Sequence, residues 1–357
     1  MHTATASIRR RCRPLADSAV LVVVGLTSLG ASRFGTGPAR SAKLIEKPRY
    51  TRAYLTHPAD TRAIRISYRA HTGARRPALV LLPRSYRPDR DAAIPLVISP
   101  HGRGVPYNVN ARRWGNLPGI GGFAVVSPAG QGNHLAEYSW GASGQIRDLA
   151  RMPGIVSSAL PWLHIDRSRI YAFGGSMGGQ ETLLLAARHP SLLAGAAAID
   201  SLVDFPRQYR NFPRLTCSVS CQRSWGGPLG LALQEQARRE VGESPQSLPG
   251  AYAARSPLYS AGALAAACIP VQIWWSRTDR VVVDSARQSG SLFKRIRRAN
   301  PRAPVTAYIG SWAHTQAFTP GWLLPHALAK FGLMPEVFGK RPVATKVITP
   351  PDHACGH

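Results

Sequence analysis

From residue 61 onward, short apolar runs alternate with longer stretches whose apolar residues recur at helical spacing. Residues 63–68 alternate apolar and polar, the period of a half-buried strand. The runs 78–83, 95–99, 123–127, 169–173, 193–199, 271–275 and 305–309 are nearly continuous in apolar character, as strands covered on both faces are. Helical patterns lie between them, over 143–163, from the glycines after residue 173 to 189, and near 322–331. This alternation predicts an α/β fold: a mostly parallel central sheet with helices on both faces. Residues 205–248 break the alternation with a polar stretch and are expected to form an insertion over the functional edge of the sheet.

The ends of the chain read differently. Residues 1–32 have the layout of an export signal: Arg9, Arg10, Arg11 and Arg13, then an apolar run from Ala19 to Leu26, then small residues at Gly30 and Ser32 for cleavage. A secreted or cell-envelope protein is the expectation. An uncleaved N-terminal anchor is the alternative, although the run falls short of the ~18–20 residues that span a bilayer. Residues 33–60 read as a poorly ordered entry segment, 61–338 as the main domain, and 339–357 as a C-terminal tail.

Charge and cysteine add little chemistry. The net charge is +27 over 357 residues, carried by 39 Arg and 6 Lys spread from end to end. The densest runs, 9–13 and 294–298, are short, and no zinc-finger spacing or RNA-binding aromatic motif accompanies them. Nucleic acid is therefore disfavoured as a partner, while attraction to anionic surfaces is expected. Cys217 and Cys221, four apart, are a candidate disulfide; Cys268, just before an apolar run, reads as a buried thiol. With no CxxC pair and no HxxxH, neither a metal nor any other cofactor is expected.

The chemistry concentrates at Gly174-Gly175-Ser176-Met177-Gly178, a G-x-S-x-G pattern. It follows a predicted strand and precedes a predicted helix, the context in which such a serine is lifted over a sheet edge on a strained turn. The turn needs its glycines because side chains there would meet the neighbouring strand and helix. It also aims the N–H of Met177 at an oxyanion forming next to Ser176. A phosphate-binding loop is disfavoured, since no G-K-[ST] follows.

A serine hydroxyl needs a base to take its proton. Where a strand–serine–helix turn carries catalysis, the acid and base follow in the order Ser, Asp, His. Asp279 comes shortly after the run 271–275, and His314 shortly after 305–309, both at the carboxyl ends of strands. Asp200 and Asp204, beyond the run 193–199, are runners-up for the acid, and Asp284 is a weaker one. Among other histidines, His189 ends a helix, His164 precedes a strand, and His353 and His357 lie in the tail. A second oxyanion donor is expected from the loop His101-Gly102-Arg103-Gly104, through the backbone N–H of Arg103. Trp140, Trp275 and Trp312 are candidates to line a substrate pocket, or else are core aromatics.

These segments together resemble the α/β-hydrolase superfamily: the His101-Gly102 loop, the elbow at 174–179, the stretch 275–279 and the loop to His314. Glu240-Val-Gly-Glu-Ser-Pro, Ala254-Arg-Ser-Pro-Leu and Asp279-Arg-Val-Val resemble its prolyl-oligopeptidase-like branch. The stretch 117–130, with Asp166-Arg-Ser-Arg-Ile, resembles secreted depolymerase- and feruloyl-type esterases. The likeness covers roughly residues 60–335. It implies a serine hydrolase acting through an acyl-enzyme, with a small-molecule or polymeric carboxylic ester as substrate. Serine peptidase is the alternative, weakened because prolyl oligopeptidases carry a large β-propeller for which this chain has no room. A non-catalytic basic binding protein on the same fold is the third reading.

Overall fold

The computed structural model describes residues 50–130, 140–215, 219, 228–340, 346–351 and 355. Nine strands form one sheet: β1 (Thr61–Arg69), β2 (Arg75–Pro83), β3 (Ile94–Ile98), β4 (Ala124–Pro128), β5 (Ile165–Gly175), β6 (Gly195–Ile199), β7 (Val271–Ser276), β8 (Val305–Gly310) and β9 (Lys346–Ile348). Their spatial order is β1-β2-β4-β3-β5-β6-β7-β8-β9. The run from β4 to β8 is parallel, whereas β1, β2 and β9 pair antiparallel at the two edges. This is the mostly parallel α/β sheet that the hydrophobic pattern predicts.

The continuous apolar runs reflect burial on both faces. Leu96 and Ile98 of β3 join one core layer and Val97 the other. The same parity splits Trp275 from Trp274, which stacks on its cross-strand neighbour Tyr308 with ring centroids 3.8 Å apart. Each fully buried aliphatic or aromatic side chain contributes about 1.5–3 kcal/mol. The sheet therefore holds its strand ends rigidly. Chain order reverses between β3 and β5, and the loops that leave their carboxyl ends carry His101-Gly102 and Ser176. Such a switch point is where open α/β sheets place their sites.

The region 205–248 contributes the helices Phe205–Asn211 and Leu229–Val241. They form a small third core with Trp140, Met177, Leu202, Phe205, Phe212, Leu233 and Tyr252. The insertion thus rests against the first residue of the helix Met177–Arg188, beside the elbow.

Three expectations need amendment. Residues 50–60 are ordered, because Thr51 caps the helix Arg52–Thr56 and Leu55 is buried in the core. The C-terminal stretch is not a loose tail: β9 pairs with β8, and Cys355 forms a disulfide with Cys268 across a sequence separation of 87. Cys268 is therefore a cystine partner rather than a buried thiol. Cys217 and Cys221 lie outside the described residues. Among the described residues, no helix is long and apolar enough to cross a membrane.

Candidate active site

Ser176 stands between the last residue of β5 and the helix Met177–Arg188, at φ 58°, ψ −126°. A non-glycine residue there costs roughly 1–3 kcal/mol, sustained only where the surroundings fix it. The surroundings do so. Ser176 N–H donates to the Ile199 carbonyl at 2.9 Å, continuing the pairing of β5 with β6. A Cβ on Gly174 would overlap the Gly178 backbone, and one on Gly178 would overlap the Pro100 carbonyl. The helix therefore starts in direct contact with the His101 loop. Ser176 is partly exposed, and its hydroxyl makes no hydrogen bond among the described residues.

Met177 is the first residue of that helix, so its N–H has no intrahelical acceptor. The facing loop is held by His101, whose ring is buried, with Nε2 2.7 Å from the Ala129 carbonyl and Nδ1 2.9 Å from the Gly102 carbonyl. A Cβ on Gly102 would stand 3.8 Å from Ser176 Cβ, so the backbone leading to Arg103 borders the nucleophile. The Arg103 side chain turns inward, pairs with Glu240, donates to Gln236 Oε1 at 2.9 Å and lies over the Trp140 ring at 5.3 Å. Glu240 and Gln236 belong to the helix Leu229–Val241, so the insertion is anchored on the candidate oxyanion loop. Sequence reasoning singled out Arg103 for its backbone and gave no sign of this side-chain role.

Asp279 and His314, 35 residues apart, are brought together. His314 Nδ1 lies 2.8 Å from Asp279 Oδ2, and the Asp279 side chain is fully buried. Asp279 Oδ1 accepts the N–H groups of Val281 at 2.7 Å and Val282 at 3.0 Å, which fix the carboxylate. With a carboxylate at Nδ1, neutral His314 carries its proton there, leaving the Nε2 lone pair for a base. The His314 loop reaches the elbow: a Cβ on Gly175 would lie 3.2 Å from Thr315 Cγ2.

The runners-up for the acid have other partners. Asp204 caps the helix Phe205–Asn211 through the Arg207 N–H at 3.1 Å. Asp284 faces Arg214 at 3.7 Å. Asp200 lies at the site, buried, and accepts from Ser276 N–H, the Trp312 indole and Thr315 N–H. Burial and the Asp279 charge push its carboxyl up to about 6, against the opposing pull of His314, Trp312 and Thr315. Ser276, the last residue of β7, was not legible as a site residue. Its hydroxyl accepts from Trp312 N–H at 2.8 Å and donates to the Trp312 carbonyl at 2.6 Å.

Ligand atoms of Asp200, Asp279 and His314 lie within 4.8 Å of one another, the spacing of a metal site. Their lone pairs, however, are directed at N–H donors: four contacts on Asp200, and three on Asp279 including the imidazole. That donor set suits a hydrogen-bonded charge network better than a cation.

The three tryptophans are all buried. Trp275 lies in the core, 3.7 Å from where a Cβ on Gly290 would stand, because its parity along β7 turns it away from the Trp274 layer. Trp140 is sandwiched by Phe205, Phe212 and the Arg103 guanidinium. Trp312 packs on Trp274 and donates to Asp200. Core and scaffold aromatics, rather than pocket walls, is the reading that their packing fits.

No family model matches the sequence. No curated protein matches it either. Solved structures do match the fold. The chain is similar to fluorophosphonate-binding serine hydrolase F of Staphylococcus aureus, with 16% identity and TM-score 0.56 over 76% of this chain and 98% of that one. It is similar to S-formylglutathione hydrolase of the same organism at 15% and 0.53, over 76% and 99%. Acylaminoacyl peptidase of Pyrococcus horikoshii aligns at 13% and 0.56, over 80% of this chain and 43% of that one. The chain spans about a third of the length of a putative dipeptidyl aminopeptidase IV from Bacteroides ovatus. The architecture is thus the α/β-hydrolase fold.

Proposed function

We propose that this α/β-hydrolase chain is a serine hydrolase that cleaves carboxylic esters through an acyl-enzyme. The observation that carries the reading is the Asp279–His314 pair, at 2.8 Å, whose histidine sits on a loop that touches the Ser176 elbow. His314 Nε2 takes the proton as Ser176 Oγ attacks the acyl carbonyl. Asp279 holds the tautomer and stabilises the imidazolium that forms. The N–H groups of Met177 and Arg103 receive the oxyanion as fixed donors that need no reorganisation when the charge forms. His314 then protonates the leaving alcohol, and water, deprotonated by the same imidazole, releases the acid.

Two features support ester over peptide substrates. The esterase-like motifs at 117–130 and 166–170 lie before the elbow, and nearly the whole of two compact serine hydrolases aligns with this chain. Export through residues 1–32 belongs to the same proposal. Purified protein assayed on p-nitrophenyl esters beside peptide p-nitroanilides should turn over the esters faster. Labelling by a fluorophosphonate probe should vanish in Ser176→Ala. Faster anilide cleavage would establish the peptidase alternative, and an unlabelled wild type would leave only a binding protein.

A further inference from the structure

Both sides of His314 are held by one carboxylate that the reaction cycle above does not use. Asp200, the residue after β6, accepts the Thr315 N–H at 2.8 Å on Oδ2, directly after His314. It accepts the Trp312 indole at 2.9 and 3.1 Å, two residues before His314. It also accepts the N–H of Ser276, at the end of β7, at 3.0 Å. The ends of β6, β7 and the β8 loop thus converge on one side chain with 0% exposure.

The backbone at both contact points is held in an unfavourable state. Asp200 sits at φ 47° and Thr315 at φ 57°. Left-handed backbone is a genuine outlier for a β-branched residue such as Thr315 and survives only where contacts impose it. An amide at position 200 would satisfy these donors less well, since both carboxylate oxygens accept. Among the described residues, the titratable groups that face Asp200 are Asp279 and His314; Ser276, Trp312 and Thr315 bring neutral donors.

We infer that Asp200 is a positioning residue: it clamps the loop that carries His314 and places a second negative charge beside the imidazole. The inference rests on the Ser176–His314–Asp279 reading. As His314 takes the serine proton, the imidazolium forms beside two carboxylates rather than one. The strained Thr315 turn keeps its ring in place meanwhile.

The test compares wild type, Asp200→Asn and Trp312→Phe on p-nitrophenyl acetate across pH, with folding checked by circular dichroism. Asp200→Asn should lower kcat about 100-fold with KM changed less than about threefold, the pattern of a lost transition-state interaction. The acidic limb of its kcat/KM profile should move about one pH unit lower, because the imidazole has lost an anionic neighbour. Trp312→Phe removes a donor and keeps the charge, so kcat should fall about 10-fold with the limb unmoved. A folded Asp200→Asn with kcat within about threefold of wild type, or with an unmoved limb, would overturn the inference. Should Asp200→Asn fail to fold, Trp312→Phe decides, and unchanged kcat sinks the clamp. Fluorophosphonate labelling separates the two levels. A labelled wild type with an indifferent Asp200→Asn refutes the positioning role alone, and an unlabelled wild type refutes both.

Discussion

Asp200 and Glu181 are both carboxyls with at most 1% exposure, yet their surroundings treat them in opposite ways. Asp200, where the ends of β6, β7 and β8 meet, has N–H donors on both oxygens. Glu181, in the helix Met177–Arg188, has an Oε1 with no hydrogen-bond partner among the described residues. Burial drives Glu181 up to about 8, and only Gln145 pulls the other way. Asp200 rises to about 6, held down by His314, the Trp312 indole and the Thr315 N–H. Depth alone therefore does not set charge at neutral pH. Preorganised donors keep Asp200 anionic, and their scarcity leaves Glu181 protonated.

The largest separation between the two regions should appear in activity. Asp279→Asn, at the strand ends, should lose at least about 10³-fold in kcat because the imidazole tautomer is no longer fixed. Glu181→Gln should stay within about threefold, and a comparable loss there would erase the distinction. Stability comes next. Asp200→Leu strands four hydrogen-bond contacts and should cost about 3–5 kcal/mol by urea unfolding.

The pH dependence sharpens the contrast further. A carboxyl raised from its ordinary value of 4.5 to about 8 keeps its proton in the folded state after the unfolded chain has lost it. Its contribution is intact below pH ~4.5 and is lost as pH rises through about 8. Glu181→Gln removes this loss, so its advantage over wild type should grow across that window to something on the order of 5 kcal/mol. Melting temperatures from pH 4 to 9 would read it, and parallel curves would refute a protonated Glu181. Asp200 has the same sign over a shorter window, from 3.8 to about 6.

The smallest effect concerns charge satisfied by charge. Removing Glu240 alone leaves Arg103 buried beside Trp140 and should cost about 3 kcal/mol. The double replacement Arg103→Met with Glu240→Leu should cost less than removing Glu240 alone, because the Arg103 charge is then not left without its Glu240 partner. Equal losses in the single and double variants would mean that the pair is held by something other than mutual charge.

Much of this was legible along the chain. Seven apolar runs became sheet strands within a few residues, because parallel strands are apolar on both faces and leave a dense signal. Asp279 and His314 could be picked out because each follows such a run. The role of Asp200 was not legible as more than a rival acid, since its three partners come from residues 276, 312 and 315. The side-chain anchor of Arg103 depends on a helix more than 100 residues later. The Cys268–Cys355 pairing and β9 depend likewise on where the last residues return. Trp275 shows the limit of inference by neighbourhood: it is next to the loop that carries Asp279 in sequence but faces the opposite layer, through the two-residue period of its strand.

β9 is only three residues long, but it covers the outer backbone of β8 at Ala307, Tyr308 and Ile309, and the disulfide ties the chain just beyond it. A chain shortened before Lys346 would present bare amides and carbonyls on a mostly buried, apolar strand, an open template for another molecule's strand. Such a truncated form should self-associate in light scattering more strongly than the chain that keeps β9 on that edge.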